Sequence, residues 1–556
     1  MTGPQSSRGD HPQSGPHLDP RARREAADRA PVVLTGADLT VADVEAVARA
    51  GAPAELDVHA RARMEEARAV IEELLAEGAV VYGVTTGFGD LATTFVEPAR
   101  SAELQEHLLM SHAVGVGDPF PREVVRAMLL LRANTLALGH SGCRPVVVDR
   151  LLAFLEHGLH PMVPEQGSVG ASGDLAPLAH LALPLIGRGQ VELHGQILPA
   201  LLALREVGVE PLQLEAKEGL ALLNGTQMMS AIGALLLADA DRLVRTASVA
   251  ASLSAEALLG TDVAYAAAYL LARPHPGQVA VAAELRHLLR DSELQRSHHA
   301  SEHKVQDPYS LRCVPQVHGA VRDALDHLRN VLDIELNSAT DNPLVFPGGG
   351  IADVDTVATG GGRVISGGNF HGEPIALALD FAKLALHELG SISERRTALL
   401  VDPRLNGGLP AFLVPSSGID SGMMVYQYTA AALVSENKVL AHPASADSIP
   451  TSANQEDHVS MGSIAARHAR RVLEHVERVI AIELVVAAQA LDLRLAAIED
   501  ASEGTAAPRP GAGVHEALRR IRARVAHLDH DREPGPDLAA AVDLVHAGGF
   551  VDLVTS

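Results

Sequence analysis

The sequence predicts a mainly α fold, a bundle of long helices with one small Gly-rich hairpin region. Three observations carry this. Residues 463–495 run without Gly or Pro and place Leu473, Val476, Ile480 and Leu484 on one helical face. At ~1.5 Å per residue that stretch reaches roughly 50 Å, a length that is stable when several such helices pack side by side. Residues 228–259 read as mostly helical up to the break at Gly260, and strand-like composition is concentrated in 346–368.

In chain order, residues 1–30 form a Pro/Gly/Ser/His/Arg-rich arm that reads as disordered. An N-terminal domain over 31–235 follows, then a central long-helix bundle over 236–503 and a helical tail over 504–556. The first helix, within 39–50, places Val41, Val44, Val47 and Ala48 at helical spacing, and 61–75 is the second. Residues 80–89 (Val-Val-Tyr-Gly-Val-Thr-Thr-Gly-Phe-Gly) set Tyr82 among glycines, the composition of a surface turn or an active-site loop. Helix returns over 102–138, broken at 115–121, with Ser111-His112 just before the break. Apolar helices flank 167–174. Asn224 ends an apolar run beside Gly225, and residues 306–312 present Gln306, Tyr309 and Arg312 three apart. A helix over 318–336 is followed by the strand-like stretch. After Asn369-Phe370-His371 comes a long helix with Leu377, Phe381 and Leu384 on one face. Helix 430–441 and a polar loop over 451–460, which contains Glu456, precede the longest helix.

With 556 residues, 47% of them apolar, the chain can bury a large core. A formal charge of −24 argues against nucleic acid as a partner. Two cysteines, Cys143 and Cys313, make no metal motif and point to a reducing cytoplasm. No apolar run is long enough for a membrane; the closest, 481–495, carries Glu483, Asp492 and Arg494. His299 and His303 stand four apart beside His298, but no third ligand is near, so no metal is expected.

The stretch with chemistry in it is 167–174, Gly-Ser-Val-Gly-Ala-Ser-Gly-Asp. Its plain reading is a turn and a helix start, with Asp174 as cap and Pro177 in the first turn. A phosphate loop is disfavoured because no Gly-Lys-Ser/Thr follows. Its centre, Ala171-Ser172-Gly173, allows a further reaction. The Gly173 nitrogen can close a five-membered ring on the Ala171 carbonyl, and loss of two waters, one of them the Ser172 hydroxyl, leaves an exocyclic methylidene. That group is an electrophile made from the chain itself, a property none of the ordinary side chains has.

The full string from Gly167 to Ala179 resembles the signature of the aromatic amino-acid ammonia-lyase and aminomutase family, whose Ala-Ser-Gly triplet becomes 4-methylideneimidazol-5-one (MIO). The resemblance extends from about Leu39 to the C-terminus through further blocks at 82–89, 111–112, 224–227, 306–312, 366–371 and 454–461. It implies a mainly α fold of the fumarase/aspartase-like type, a homotetramer with shared active sites, a small amino-acid substrate and no external cofactor. By the same resemblance the catalytic group is Tyr82, Ala171, Ser172, Gly173 and Tyr309, with Tyr82 as the base that takes the β-proton. Arg312 clamps the substrate carboxylate, a task suited to a forked guanidinium. Asn224 and Gln306, with Tyr309, line the site; Phe370 packs against the MIO or the substrate; His112 and Glu456 hold the ring. A carboxylate pairs with an imidazole N–H and has no use for a phenyl ring, so Glu456 favours L-histidine, giving trans-urocanate and ammonia. Thr85, Gly372, Met228-Met229, His318, Met423 and Tyr426 depart from the commonest pattern. The string Val84-Thr-Thr-Gly87 resembles the tyrosine aminomutases, which return the amine to the β-carbon. A catalytically inert helical scaffold is the remaining alternative; against it, every polar residue the reaction needs is present.

Overall fold

A computed structural model describes residues 30–81, 86, 97, 100–298, 305–348, 357–358, 361–501 and 506–554. The chain divides into two compact units, each assembled from separate stretches. The first takes Met1–Ala234, Asp333–Gly372 and Ser448–Ser463; the second takes Leu235–Leu332, Glu373–Asp447 and Ile464–Ser556.

The first unit is organised around the Arg122–Ala137 helix, buried on all sides from Val124 onward. That environment explains why its sequence is apolar almost without periodicity. The Val58–Ala76 helix packs beside it. Asp57 caps that helix by accepting from the backbone N–H of His59 and Ala60, and it buries Met64, Ala67, Val70, Ile71 and Leu74. Around these helices lie small sheets. Val32–Leu34 pairs in parallel with Ala54–Leu56. Gln190–Leu193 pairs antiparallel with both Gln196–Pro199 and His160–Pro161. Val116–Pro119 pairs antiparallel with Pro164–Gln166. The hairpin region expected over 346–368 is a three-stranded antiparallel sheet, with Gly362–Ile365 between Leu344–Pro347 and Val357–Ala358. The other strands, two to four residues each, are too short for a period of two to show in the sequence.

The second unit holds long helices, among them Pro276–Leu288, Glu373–Val401, Met424–Leu440 and most of Gly462–Ala501. The last of these has 40 residues and buries Leu473, Val476, Ile480 and Leu484. Glu483 and Arg494, the charges buried along it, both have partners. Glu483 takes a bidentate bond from Arg396, at 2.5 and 2.8 Å, and hydroxyl bonds from Ser254 and Ser393. Arg494 donates to the carbonyls of Ala257, Asn406 and Gly407, and Asp492 accepts from Arg522. Buried ions persist only with such partners. Leu377, Phe381 and Leu384 do share a face of the Glu373–Val401 helix, but this face points outward, with the three side chains 53, 48 and 47% exposed. No described helix is long and apolar enough to cross a membrane.

Candidate active site

Val116–Pro119 and Pro164–Gln166 bring the chain into the 167–174 loop, where Gly167 abuts Gly115 so closely that an added Cβ would sit 3.0 Å from the Gly115 Cα. His112, three residues before Gly115, ends the Ser101–His112 helix, its Nδ1 2.9 Å from the Leu108 carbonyl. The Leu175–Ala182 helix leaves the far side of the loop.

Inside the loop the backbone turns through left-handed conformations at Gly170, Ser172 and Gly173, with φ of +77°, +51° and +78°. Gly173 forms a bridge with Gly225: the Gly225 N–H donates to the Ser172 carbonyl at 3.3 Å, and the Asp174 N–H donates to the Gly225 carbonyl at 2.7 Å. A Cβ on Gly173 would lie 2.1 Å from the Gly225 oxygen, so only glycine fits. Asn224, immediately before this bridge, donates its amide to the Asn342 carbonyl at 3.1 Å.

The segment 448–463 closes over the same loop. The Met461 N–H donates to the Val169 carbonyl at 2.9 Å. Glu456 accepts from the Thr451 hydroxyl at 2.6 Å and stands 3.5 Å from the Ser172 hydroxyl, the outer limit of a hydrogen bond. Phe370 is half-buried on the turn just before the Glu373–Val401 helix. The first unit therefore gathers Ala171, Ser172, Gly173, Asn224 and Glu456. Tyr82 and Thr85 lie outside the described residues.

Gln306, Tyr309 and Arg312 belong to the second unit and sit together there. Tyr309 opens the short Tyr309–Arg312 helix and is 71% exposed. The Arg312 guanidinium carbon stacks 4.6 Å from the Tyr309 ring centre, and its Nε has no hydrogen-bond partner among the described residues. The turn is held from behind: Asp307 accepts from the Thr261 N–H at 2.7 Å, and the buried Tyr265 hydroxyl donates to the Leu311 carbonyl at 2.9 Å. An open hollow of about 450 Å³ beside Tyr309 is lined by Ser310, Arg395, Leu399, Asp402 and Leu405, among others. His298 ends the Glu293–His298 helix; His299 and His303 fall outside the described residues.

Residues 39–523 match the family model for aromatic amino acid lyase. The chain belongs to the aromatic amino acid lyase family. It is 52% identical to a histidine ammonia-lyase of Symbiobacterium thermophilum over 94% of this chain and 98% of that protein. Among solved structures, histidine ammonia-lyase from Trypanosoma cruzi superposes with a TM-score of 0.84 at 43% identity, covering 94% of this chain and 95% of that one. Tyrosine aminomutase from Streptomyces globisporus gives 0.86 at 38% identity, covering 94% and 98%.

Two residues of this lyase chain escape a motif-by-motif reading. Asp174 was the expected cap of the helix it precedes, yet its side chain makes no bond there. Its Oδ2 accepts instead from the N–H groups of Met228 and Met229, both at 3.0 Å, at the start of the Gln227–Ala257 helix; Ser463 donates to Oδ1 at 3.3 Å. It thus ties three distant stretches together at a positive helix end. Burial pushes its carboxyl up to about 7, against the pull of those donors. The other is Arg132, fully buried beneath the Asn224–Gly225 turn. A charge directly after the apolar run Met128-Leu129-Leu130-Leu131 was the available signal for it.

Proposed function

We propose that this lyase acts on L-histidine, releasing ammonia and trans-urocanate, with an MIO made from Ala171, Ser172 and Gly173. The observation that carries the substrate is Glu456: a half-buried carboxylate beside the Ser172 hydroxyl suits an imidazole N–H and leaves a phenyl ring without a partner. The extent of identity to histidine ammonia-lyases supports the same reading. The triplet fits the group, since Gly173 presents a bare backbone and already lies in a sharp turn. Once formed, the methylidene supplies an electrophile for the substrate nitrogen, which turns a poor leaving group into a better one.

The chain's own residues do the rest. Tyr82 takes the β-proton as the general base. Arg312 holds the carboxylate as a charge-assisted pair. Asn224, Gln306 and Tyr309 line the amino group, Phe370 packs on the reacting centre, and His112 and Glu456 orient the ring. These groups act together when copies of the chain share their sites in a homotetramer. Supporting this, the second unit leaves Leu377, Phe381 and Leu384 exposed, along with Val425, Tyr428 and Val439 on the Met424–Leu440 helix. We place the enzyme in the cytoplasm, where the free thiols of Cys143 and Cys313 stay reduced.

Incubating the purified protein with L-histidine, L-tyrosine and L-phenylalanine and identifying the products tests the assignment. Urocanate is expected. The second reading, an aminomutase, is favoured by Val84-Thr-Thr-Gly87 and by the likeness to tyrosine aminomutase; a β-amino acid from tyrosine would put it in place of the first.

A further inference from the structure

Behind the cyclising loop stands a buried cation. Arg132 Nη1 donates to the Ala221 carbonyl at 2.6 Å and to the Asn224 carbonyl at 2.9 Å, and Nη2 donates to Gln227 Oε1. The Asn224 carbonyl and the Gly225 N–H belong to one peptide group, and that N–H donates to the Ser172 carbonyl at 3.3 Å. The spacing leaves no slack: a Cβ on Gly225 would fall 2.3 Å from Arg132 Nη2. A path of hydrogen bonds therefore runs from a guanidinium, through one peptide, to the amide whose nitrogen must react. We propose that Arg132 is a positioning residue for self-cyclisation, polarising the Ser172 carbonyl through the peptide between Asn224 and Gly225 while holding that peptide in place.

The inference rests on the MIO reading above. The Gly173 nitrogen is a poor nucleophile because its lone pair is delocalised onto the Ser172 oxygen. Removing its proton gives an amidate whose charge is shared between those two atoms. A donor on the oxygen stabilises that charge, and linked hydrogen bonds strengthen one another where water is excluded. The nitrogen then bonds to the Ala171 carbonyl carbon. The Ala171 oxygen leaves as water with the protons of Gly173 N and Ser172 N. The Ser172 Oγ leaves, still bearing its hydrogen, as a second water with the proton of its own Cα. The balance is two waters and no oxidant. Burial lowers the Arg132 pKa to about 10, which still leaves it charged at neutral pH.

A merely structural Arg132 would tie up carbonyls at a helix end and nothing more. Two variants separate the roles. Arg132→Lys keeps a charge but cannot fork between two carbonyls and Gln227. Gln227→Glu keeps every contact, because Thr135 and Thr340 can donate to it by their hydroxyls, yet draws the guanidinium charge away from Asn224. The fraction of chains two waters lighter is followed by intact mass after cell-free synthesis, with circular dichroism and thermal melting as the control for folding. Wild type should become two waters lighter; if it does not, the MIO reading itself fails. Both variants should cyclise roughly tenfold slower or more while melting as folded proteins. Cyclisation at the wild-type rate in folded Gln227→Glu overturns the proposal, and that variant decides alone if Arg132→Lys does not fold.

Discussion

Ser172 holds a left-handed backbone conformation, φ +51°, which costs a non-glycine residue roughly 1–2 kcal/mol. Its neighbours Gly170 and Gly173 share the turn, and Gly225 and Glu456 border it. Replacing Ser172 with Ala removes the hydroxyl that leaves as the second water. The Ser172→Ala protein should therefore lack the methylidene by intact mass and lose nearly all turnover; full activity in a chain of unmodified mass would rule out the MIO. Glu456 is tested through selectivity. A site that bonds a substrate N–H rejects analogues lacking it, because a buried polar group is left unpaired. Glu456→Gln should lower activity on histidine. Glu456→Leu should lower the ratio of kcat/KM for histidine to that for phenylalanine by roughly tenfold to a hundredfold. The MIO should form in both, since Glu456 contacts the triplet only at the limit of hydrogen bonding. An unchanged ratio would remove Glu456 from the ring-binding role.

At the scale of elements, helices in this chain end on one another's polar groups. Asp174 serves the Gln227–Ala257 helix, and Glu256 near the far end of that helix serves another. Glu256 accepts from the Gly511 N–H at 3.1 Å by each oxygen, and from the Ser292 hydroxyl, so it anchors the start of the Ala512–Arg522 helix. Burial raises its carboxyl from 4.5 to about 7. The folded state then binds the proton more tightly than the unfolded chain. Stability from this group is highest below about 4.5, falls as pH rises towards about 7, and is level above that. Glu256→Gln keeps an acceptor and does not titrate. The stability of wild type relative to this variant should fall between pH 5 and 8 by an amount on the order of 2–3 kcal/mol. Urea unfolding of both proteins at the two pH values measures it, and parallel pH profiles would contradict the assignment.

For the whole molecule, the exposed stripe of Leu377, Phe381 and Leu384 is the feature a lone chain would not keep. Phe381→Asp combined with Leu384→Lys puts opposite charges on that stripe without touching the buried face of the helix, which includes Ala378, Leu379, Ala382 and Leu386. Sedimentation should show the variant at a lower oligomeric order than wild type. Under the shared-site reading proposed above, turnover should fall with it, because Tyr309 and Arg312 then act on groups of a neighbouring chain. A variant that sediments and turns over like wild type would move the interface elsewhere.

The sequence by itself determined the long helices and the reactive triplet. Apolar spacing over many turns leaves little choice of element, as with Leu473, Val476, Ile480 and Leu484, and Ala171-Ser172-Gly173 is chemistry within three consecutive residues. It also supplied the types of the site residues, since forked cations, carboxylates and phenols are recognisable wherever they fall. Only the tertiary structure decided what surrounds the triplet. Ser172 meets Glu456 across 284 positions, Asp174 meets Ser463 across 289, and Arg132 reaches Asn224 across 92. Likewise, the burial of Glu483 with Arg396 and the outward turn of Leu377, Phe381 and Leu384 depend on which helices lie alongside. The physical reason is one of range: periodicity and backbone preference act over a few residues, whereas burial and hydrogen-bond pairing depend on neighbours the folded chain supplies.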